Sequence, residues 1–213
     1  MSSEPITLID YDAGNLASLE GALDRLGLVY RRAATPDQAA LSGPIVLPGV
    51  GHFEAARNSL REHGWWRALP SFVAEGRSIL GICLGLQLLT EGSEEAPRAS
   101  GLGLIPRLVR RRGPGVKVPH MGWSRVRQQQ PHPALPDPLG GWLYFVHSYA
   151  LEPNAETIYV ADHGRPFAAI EARGTVLGFQ PHPEKSGRMG LLLLKSALSW
   201  MGASTPEPEA PCN

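Results

Sequence analysis

The stretch Ser78-Ile79-Leu80-Gly81-Ile82-Cys83-Leu84-Gly85-Leu86-Gln87 constrains this chain more than any other. An apolar run ends at Cys83, with Gly81 and Gly85 two residues to either side, and Leu84, Leu88 and Leu89 then recur at helical spacing. That order predicts a buried strand, a tight turn and a helix. A Gly-x-nucleophile-x-Gly turn places its central residue on a sharp bend above a sheet, and the small neighbours make room for it. Cysteine suits the place, because its thiolate is a strong nucleophile and a helix N-terminus favours negative charge. Taken alone, the pentapeptide is equally compatible with a buried structural cysteine beside two turn glycines.

The segments before the elbow repeat its pattern. Ile6–Ile9 reads as a strand, Asp10–Asn15 as a polar turn, and Leu16, Leu19, Leu23 and Leu26 as one face of a helix that stops at Gly27. Val29–Ala33 is a weak second strand. Thr35-Pro36-Asp37-Gln38 supplies an N-cap, a first-turn proline and a capping-box partner for a short helix. Ile45-Val46-Leu47 is a third strand, closed by Pro48-Gly49-Val50-Gly51, and helices are expected over Phe53–Arg61 and Trp65–Ala74. Strands alternating with helices argue an α/β fold, a parallel sheet covered on both faces, whose ligands lie beyond the carboxyl ends of the strands. The turns at Asp12–Asn15, Pro48–Gly51 and Cys83 fall at those ends.

After the elbow, Glu91–Ser100 reads as a loop, Leu102–Val109 as a strand, and Arg110–Gly115 as a basic turn, either solvated or facing an acidic partner. Further strands are expected from Pro119-His120-Met121-Gly122-Trp123 through Val126, at Leu143–Ala150, Thr157–Ala161, Phe167–Glu171 and Thr175–Phe179, with turns so close that this half is locally antiparallel. Gln128–Gly141 is a loop, and Met189–Trp200 a buried terminal helix ended by Gly202. One domain spans residues 1–202, and 203–213 is a disordered tail holding the second cysteine, Cys212.

A cysteine nucleophile needs a base for its proton, a group that orients the base, and donors for the oxyanion formed on attack. His182 and Glu184 supply the first two: two residues apart, in an extended segment, their side chains share a side. Gly49, Val50 and Gly51 are the oxyanion candidates, since a glycine turn can aim backbone N–H groups into a site. His52, His63, His120, His132 and His147 remain alternative bases on composition. The 213 residues carry 20 Lys plus Arg against 20 Asp plus Glu, so no charge excess argues for a nucleic acid or a membrane surface. Two cysteines make no disulfide framework or metal pattern, and no apolar run reaches about 18 residues. A cytoplasmic setting, without metal or cofactor, is the expectation.

Pro48-Gly49-Val50-Gly51-His52-Phe53, Gly81–Gln87 and His182-Pro183-Glu184-Lys185-Ser186 together resemble class I (triad-type) glutamine amidotransferases. Asp10–Leu16, Pro119–Trp123 and Tyr144-Phe145-Val146-His147-Ser148-Tyr149 are similar to the glutaminase subunits of imidazole glycerol phosphate synthases. The resemblance runs from Ile6 to about Trp200. It implies a flavodoxin-like sheet and a triad of Cys83, His182 and Glu184 that forms a γ-glutamyl thioester and releases ammonia and glutamate. It implies an oxyanion hole at Gly49–Gly51 after a peptide flip, and glutamine contacts at Gln87, His147, Ser148 and Tyr149. It implies a (β/α)₈ synthase subunit as partner, which turns the ammonia into imidazole glycerol phosphate and an aminoimidazole ribotide in histidine biosynthesis, with Asp12, Asn15, Met121, Trp123 and Tyr144 near that interface. Three residues depart from the family's usual pattern: Pro181 for phenylalanine, Ala13 for glycine or methionine, and Ser124 for asparagine. The other readings are a glutaminase subunit of an anthranilate or pyridoxal phosphate synthase, a silent scaffold on the same fold, and a cysteine peptidase.

Overall fold

The computed structural model of the chain describes residues 5–136 and 141–203, so most of the expected tail, Cys212 included, lies outside the described residues. Its centre is a nine-stranded sheet. The strands β1 (Ile6–Ile9), β2 (Tyr30–Ala33), β3 (Ile45–Leu47) and β4 (Ile79–Ile82) are joined by β12 (Val176–Phe179) in a parallel array of order β2-β1-β3-β4-β12. This is the flavodoxin-like order. Beyond β12 the sheet continues antiparallel through β11 (Pro166–Arg173), β10 (Tyr159–Asp162), β7 (His120–Gln128) and β8 (Gly141–His147). The α/β architecture with a locally antiparallel second half is the one expected.

The two-residue period of the buried strands sorts their side chains between two helical layers. Ile6, Leu8, Val46, Leu80 and Leu177 pack against α1 (Leu16–Arg25) and α5 (Gly187–Trp200) through Leu19, Leu23, Leu193 and Leu194. Ile45, Leu47, Ile79 and Val176 pack against α2 (Phe53–Glu62) and α3 (Trp65–Ala74) through Phe53, Leu60, Trp65 and Leu69. Strands covered on both sides read as continuous apolar runs, which is why β1, β3, β4 and β12 were visible in the sequence.

The differences fall on short or polar segments. Thr35 does not cap a helix: Pro36–Gln38 is one 3₁₀ turn, and Gln38 Oε1 accepts instead from the Ala34 amide at 2.8 Å. Within the expected loop after the elbow, Thr90–Ser93 forms β5, which pairs with β6 (Ile105–Arg111) in a second, small sheet. The basic turn is a turn only at Pro114 and Gly115. Arg110 and Arg111 end β6, Arg110 meets Glu94 at 3.0 Å, and Arg112 is buried with its guanidinium 4.9 Å from the centre of the Phe167 ring. Burial holds the Arg112 pKa below its ordinary value. A planar guanidinium on a long apolar stem tolerates such a place when carbonyls take its terminal donors, and here those of Pro166 and Arg165 take one from each NH₂ group, while Nε is buried without a partner among the described residues. The run Leu143–Ala150 is also not one strand. It breaks at Ser148, and β9 (Tyr149–Ala150) crosses to pair with β6.

Candidate active site

β4 is fully buried between β3 and β12, and the chain leaves it through Cys83 at φ 54°, ψ −109°. A non-glycine residue at positive φ costs on the order of 1–3 kcal/mol and persists where its surroundings over-determine it. They do so here because α4 (Leu84–Leu89) folds straight back onto the sheet. A Cβ at Gly85 would lie 2.0 Å from the Leu47 carbonyl oxygen, and one at Gly81 would lie 2.7 Å from the Gly85 carbonyl carbon. The two glycines therefore permit the close approach that sets the elbow, as their spacing predicted.

His182 follows β12, the parallel neighbour of β4, and so leaves the same end of the sheet as Cys83. Its amide donates to the Tyr144 carbonyl at 2.9 Å, so Pro181 leaves its backbone anchor intact. Ser186 completes the link: its hydroxyl donates to the His182 carbonyl at 2.6 Å and accepts from the Tyr144 amide at 2.9 Å. Glu184 Oε1 lies 2.8 Å from His182 Nδ1. The pairing is the expected one, but the extended segment is not. Pro183–Lys185 is a 3₁₀ turn, so the tight helical rise, rather than strand alternation, brings the carboxylate back to the ring. Burial alone would push the imidazole down. Hydrogen bonds to Cys83 and Glu184, with the charges behind them, outweigh it and lift His182 to about 10. Glu184 Oε2 is buried without a hydrogen-bond partner among the described residues. It borders a void of about 10 Å³ shared with Asn15, Pro48 and Gly49, room for about one water.

Cys83 and His182 open on a cavity of about 290 Å³, at the small end of small-molecule sites. The expected Gln87, His147, Ser148 and Tyr149 line one side, Val50 and Gly51 the other. Gln87 Nε2 donates to the Tyr149 carbonyl at 3.1 Å and to Gln180 Oε1 at 3.3 Å. Gln180, Glu95 and Lys185 are site neighbours that the sequence reading missed. Gln180 is fully buried with its Nε2 3.8 Å from Cys83 Sγ. Glu95 lines the cavity while its Oε2 accepts from the Phe53 amide at 2.8 Å, and Lys185 lines it beside His182. Glu95 sat in a segment read as polar loop, and nothing in its spacing distinguished it. Of the alternative bases only His147 reaches the cavity. His52 caps α2, His63 bonds to the Ser59 carbonyl, and His120 and His132 lie elsewhere.

The oxyanion segment is held in one orientation. Tyr11 donates to the Pro48 carbonyl at 2.8 Å. Burial, then the Cys83 charge, raise the Tyr11 hydroxyl well above its ordinary value and keep it a donor. The Gly49 carbonyl accepts from the Leu84 amide at 3.3 Å. In a trans peptide C=O and N–H point in opposite directions, so Val50 N–H is turned away from the α4 N-terminus and Leu84 N–H is already occupied.

The expected interface residues form two patches flanking the His182–Glu184 turn, which packs against both α1 and β8. Asp12, at φ 63°, and Asn15, the residue before α1, lie on the first turn. Met121 and Trp123 are 64% and 51% exposed on β7, and Trp123 meets the Tyr144 ring edge-on at 5.9 Å.

A parallel sheet with a strained cysteine elbow, and a histidine–carboxylate pair beside it, has the make-up of a cysteine hydrolase or acyl-transfer site. The class-I glutamine amidotransferase family model matches residues 7–196, and the chain belongs to that family. Among curated relatives, it is 43% identical over 195 residues to the imidazole glycerol phosphate synthase subunit HisH of Moorella thermoacetica, covering 90% of this chain and 93% of that one. It is 42% identical over 201 residues to the HisH subunit of Streptococcus gordonii, covering 93% and 97%. In fold it is similar to a solved glutamine amidotransferase from Thermotoga maritima, with TM-score 0.66 at 16% identity over 96% of this chain and all of that one.

Proposed function

We propose that this chain is the glutaminase subunit of an imidazole glycerol phosphate synthase and that Cys83, His182 and Glu184 are its catalytic triad. The observation that carries the triad is the cavity wall shared by Cys83, on its strained elbow, and His182, whose Nδ1 lies 2.8 Å from Glu184 Oε1. His182 takes the thiol proton, and Sγ attacks the side-chain carboxamide carbon of glutamine. As the tetrahedral adduct collapses, the C–N bond breaks and His182 returns the proton to the leaving nitrogen, giving ammonia and a γ-glutamyl thioester. Water, deprotonated by His182, then cleaves the C–S bond and releases glutamate. Glu184 keeps the ring in the Nδ1–H tautomer and offsets the charge of the imidazolium. Glu95 is the cavity carboxylate suited to the substrate's α-ammonium, and Gln87 with the Ser148 break shapes the wall for its amino-acid end.

In the observed orientation of Gly49–Val50 the donors for the oxyanion are not available. Turning that peptide over would free Leu84 N–H and bring in Val50 N–H. One such donor is worth about 10²–10³ in rate, enough to make turnover depend on a partner that favours the turned state. The partner is a synthase subunit, a (β/α)₈ barrel, docked on the patches at Asp12, Asn15, Met121, Trp123 and Tyr144 and receiving the ammonia. Glutamate release from glutamine tests the assignment in four arms: the chain alone, with the synthase subunit, with subunit and acceptor ligand, and with Cys83→Ala in the full mixture. Strong stimulation in the third arm, lost in the fourth, is expected. Equal turnover alone and in complex would overturn the gating. A Cys83 inert toward a glutamine-analogue alkylating agent in every arm would overturn the enzyme.

A further inference from the structure

The wall of the cavity at His147–Tyr149 is tied to a buried chain of polar groups that the reaction does not use. His147 Nδ1 lies 3.0 Å from the Tyr149 carbonyl oxygen, and His147 Nε2 lies 3.2 Å from His120 Nδ1. His120 Nε2 lies 3.1 Å from Ser124 Oγ, which is also 3.0 Å from the Asp162 carbonyl oxygen. His120 and His147 are only 2% and 6% exposed. Each of these four contacts needs one proton. Two neutral imidazoles and one hydroxyl supply three.

The chain's direction follows from its end. A carbonyl only accepts, so His147 carries its proton on Nδ1 and Nε2 is a lone pair. His120 must then donate from Nδ1, which leaves its own Nε2 a lone pair. Ser124 must donate to that nitrogen and so cannot also donate to Asp162. The contact given up is the one at the surface. Asp162 is exposed, so water can replace a lost donor there, whereas two lone pairs facing each other between buried imidazoles have no substitute. The rings cannot swing away: His120 is stacked between Phe145, at 5.2 Å, and His163, at 4.1 Å. At the far end the Tyr149 carbonyl accepts from both His147 and Gln87, so the chain reaches the helix that carries Cys83.

We propose that Ser124 and His120 are positioning residues whose one-way hydrogen-bond chain, Ser124 to His120 to His147 to the Tyr149 carbonyl, fixes the strand break that shapes the glutamine site. Burial supports the neutral count, since it pushes His120 down to about 4 and His147 to about 3. The functional half of the proposal rests on the glutaminase reading, but the tautomers do not. Free histidine favours Nε2–H, and the chain demands Nδ1–H on both rings.

The test is ¹⁵N NMR of the histidine side chains near neutral pH, with glutamine kinetics of the complex with the synthase subunit. In the native protein His120 and His147 should both be Nδ1–H. Ser124→Ala should leave the buried His120 Nε2 lone pair without its donor, shifting the ¹⁵N resonance of that nitrogen while Nδ1–H stays on His147, and raise KM for glutamine about tenfold with kcat little changed. Ser124→Thr, which keeps the hydroxyl, should restore both. A native His120 in the Nε2–H or imidazolium form would overturn the proposal whether or not the complex hydrolyses glutamine. So would a Ser124→Ala variant with an unchanged His120 Nε2 resonance and unchanged KM. A complex without glutaminase activity but with the two Nδ1–H rings would instead remove the functional reading and leave the chain's direction standing.

Discussion

β4 and β8 both end at the cavity, but they hold their residues by different means. β4 lies between parallel neighbours with every residue buried, and it delivers Cys83 through one strained residue and two glycines. Nothing but backbone packing is needed. β8 is the last strand of the described sheet, paired on one side to β7, and its residues alternate between buried and half-exposed. It reaches the site through side chains: Ser186 ties Tyr144 to His182, and His147 spans the break at Ser148. A central strand can fix a nucleophile by sterics alone. An edge strand needs a polar network, and the same openness leaves Trp123 and Tyr144 available to a partner.

The largest test of this contrast is Cys83→Ala. With the elbow unchanged and the nucleophile gone, glutamate release in the complex should fall by about 10⁴-fold or more. A residual rate within tenfold of native would mean that the attacking group lies elsewhere.

The two regions also respond oppositely to pH. His182 is lifted to about 10, above its unfolded value near 6.5, so its contribution to stability is complete below about pH 6.5 and is lost as pH rises toward 10. His120 and His147 are lowered to about 4 and 3, so theirs is complete above about pH 6.5 and is lost as pH falls through 4. Urea midpoints measured across pH should peak between these limits. His182→Gln should flatten the alkaline limb and His147→Phe the acid limb. An alkaline limb unchanged in His182→Gln would show that its pairing with Cys83 and Glu184 is not what the folded state stabilises.

Gly85→Ala probes the steric half directly. The new Cβ would meet the Leu47 carbonyl oxygen at 2.0 Å, and backbone cannot yield as a side chain does. A loss of about 1–3 kcal/mol is expected from overpacking of this kind, with turnover falling as Cys83 is displaced. A variant of native stability would mean that α4 can move off β3, and that the elbow is less determined than its geometry implies.

The same contrast explains what the sequence disclosed. The inner parallel strands β1, β3, β4 and β12 were legible because double burial writes itself as apolar runs, whereas the half-exposed edge strand β2 read only weakly, and the elbow was legible because Gly81, Cys83 and Gly85 have a single steric rationale. The His182–Glu184 pairing was anticipated for a reason that does not hold, since a 3₁₀ turn and an extended segment can both align residues two or three apart. The antiparallel half was legible only as strands. The break at Ser148 depends on β9 finding β6, nearly forty residues earlier in the chain. Arg112 looked solvated because its acceptors, the carbonyls of Arg165 and Pro166, carry no sequence signature. Glu95 and Gln180 reach the site by tertiary packing alone.

The smallest effect expected on the isolated chain is the sharpest test of the open face. Trp123 is half-exposed and touches Tyr144 only edge-on, so Trp123→Ala should change stability by no more than about 0.5 kcal/mol. An exposed tryptophan at the centre of a docking patch is worth far more to binding, on the order of 2 kcal/mol, or about thirtyfold in Kd for the synthase subunit. Trp142 is the control. It is similarly exposed, at 57%, on β8 opposite Arg125, two register pairs beyond the Trp123–Tyr144 contact and farther from the His182 turn. If the partner docks over the His182–Glu184 turn, Trp123→Ala should weaken binding and stimulation of glutamate release together, and Trp142→Ala should do so much less. Equal losses would place the footprint along the whole face of β7 and β8, and no loss from either would move the partner to the first turn, at Asp12 and Asn15, alone.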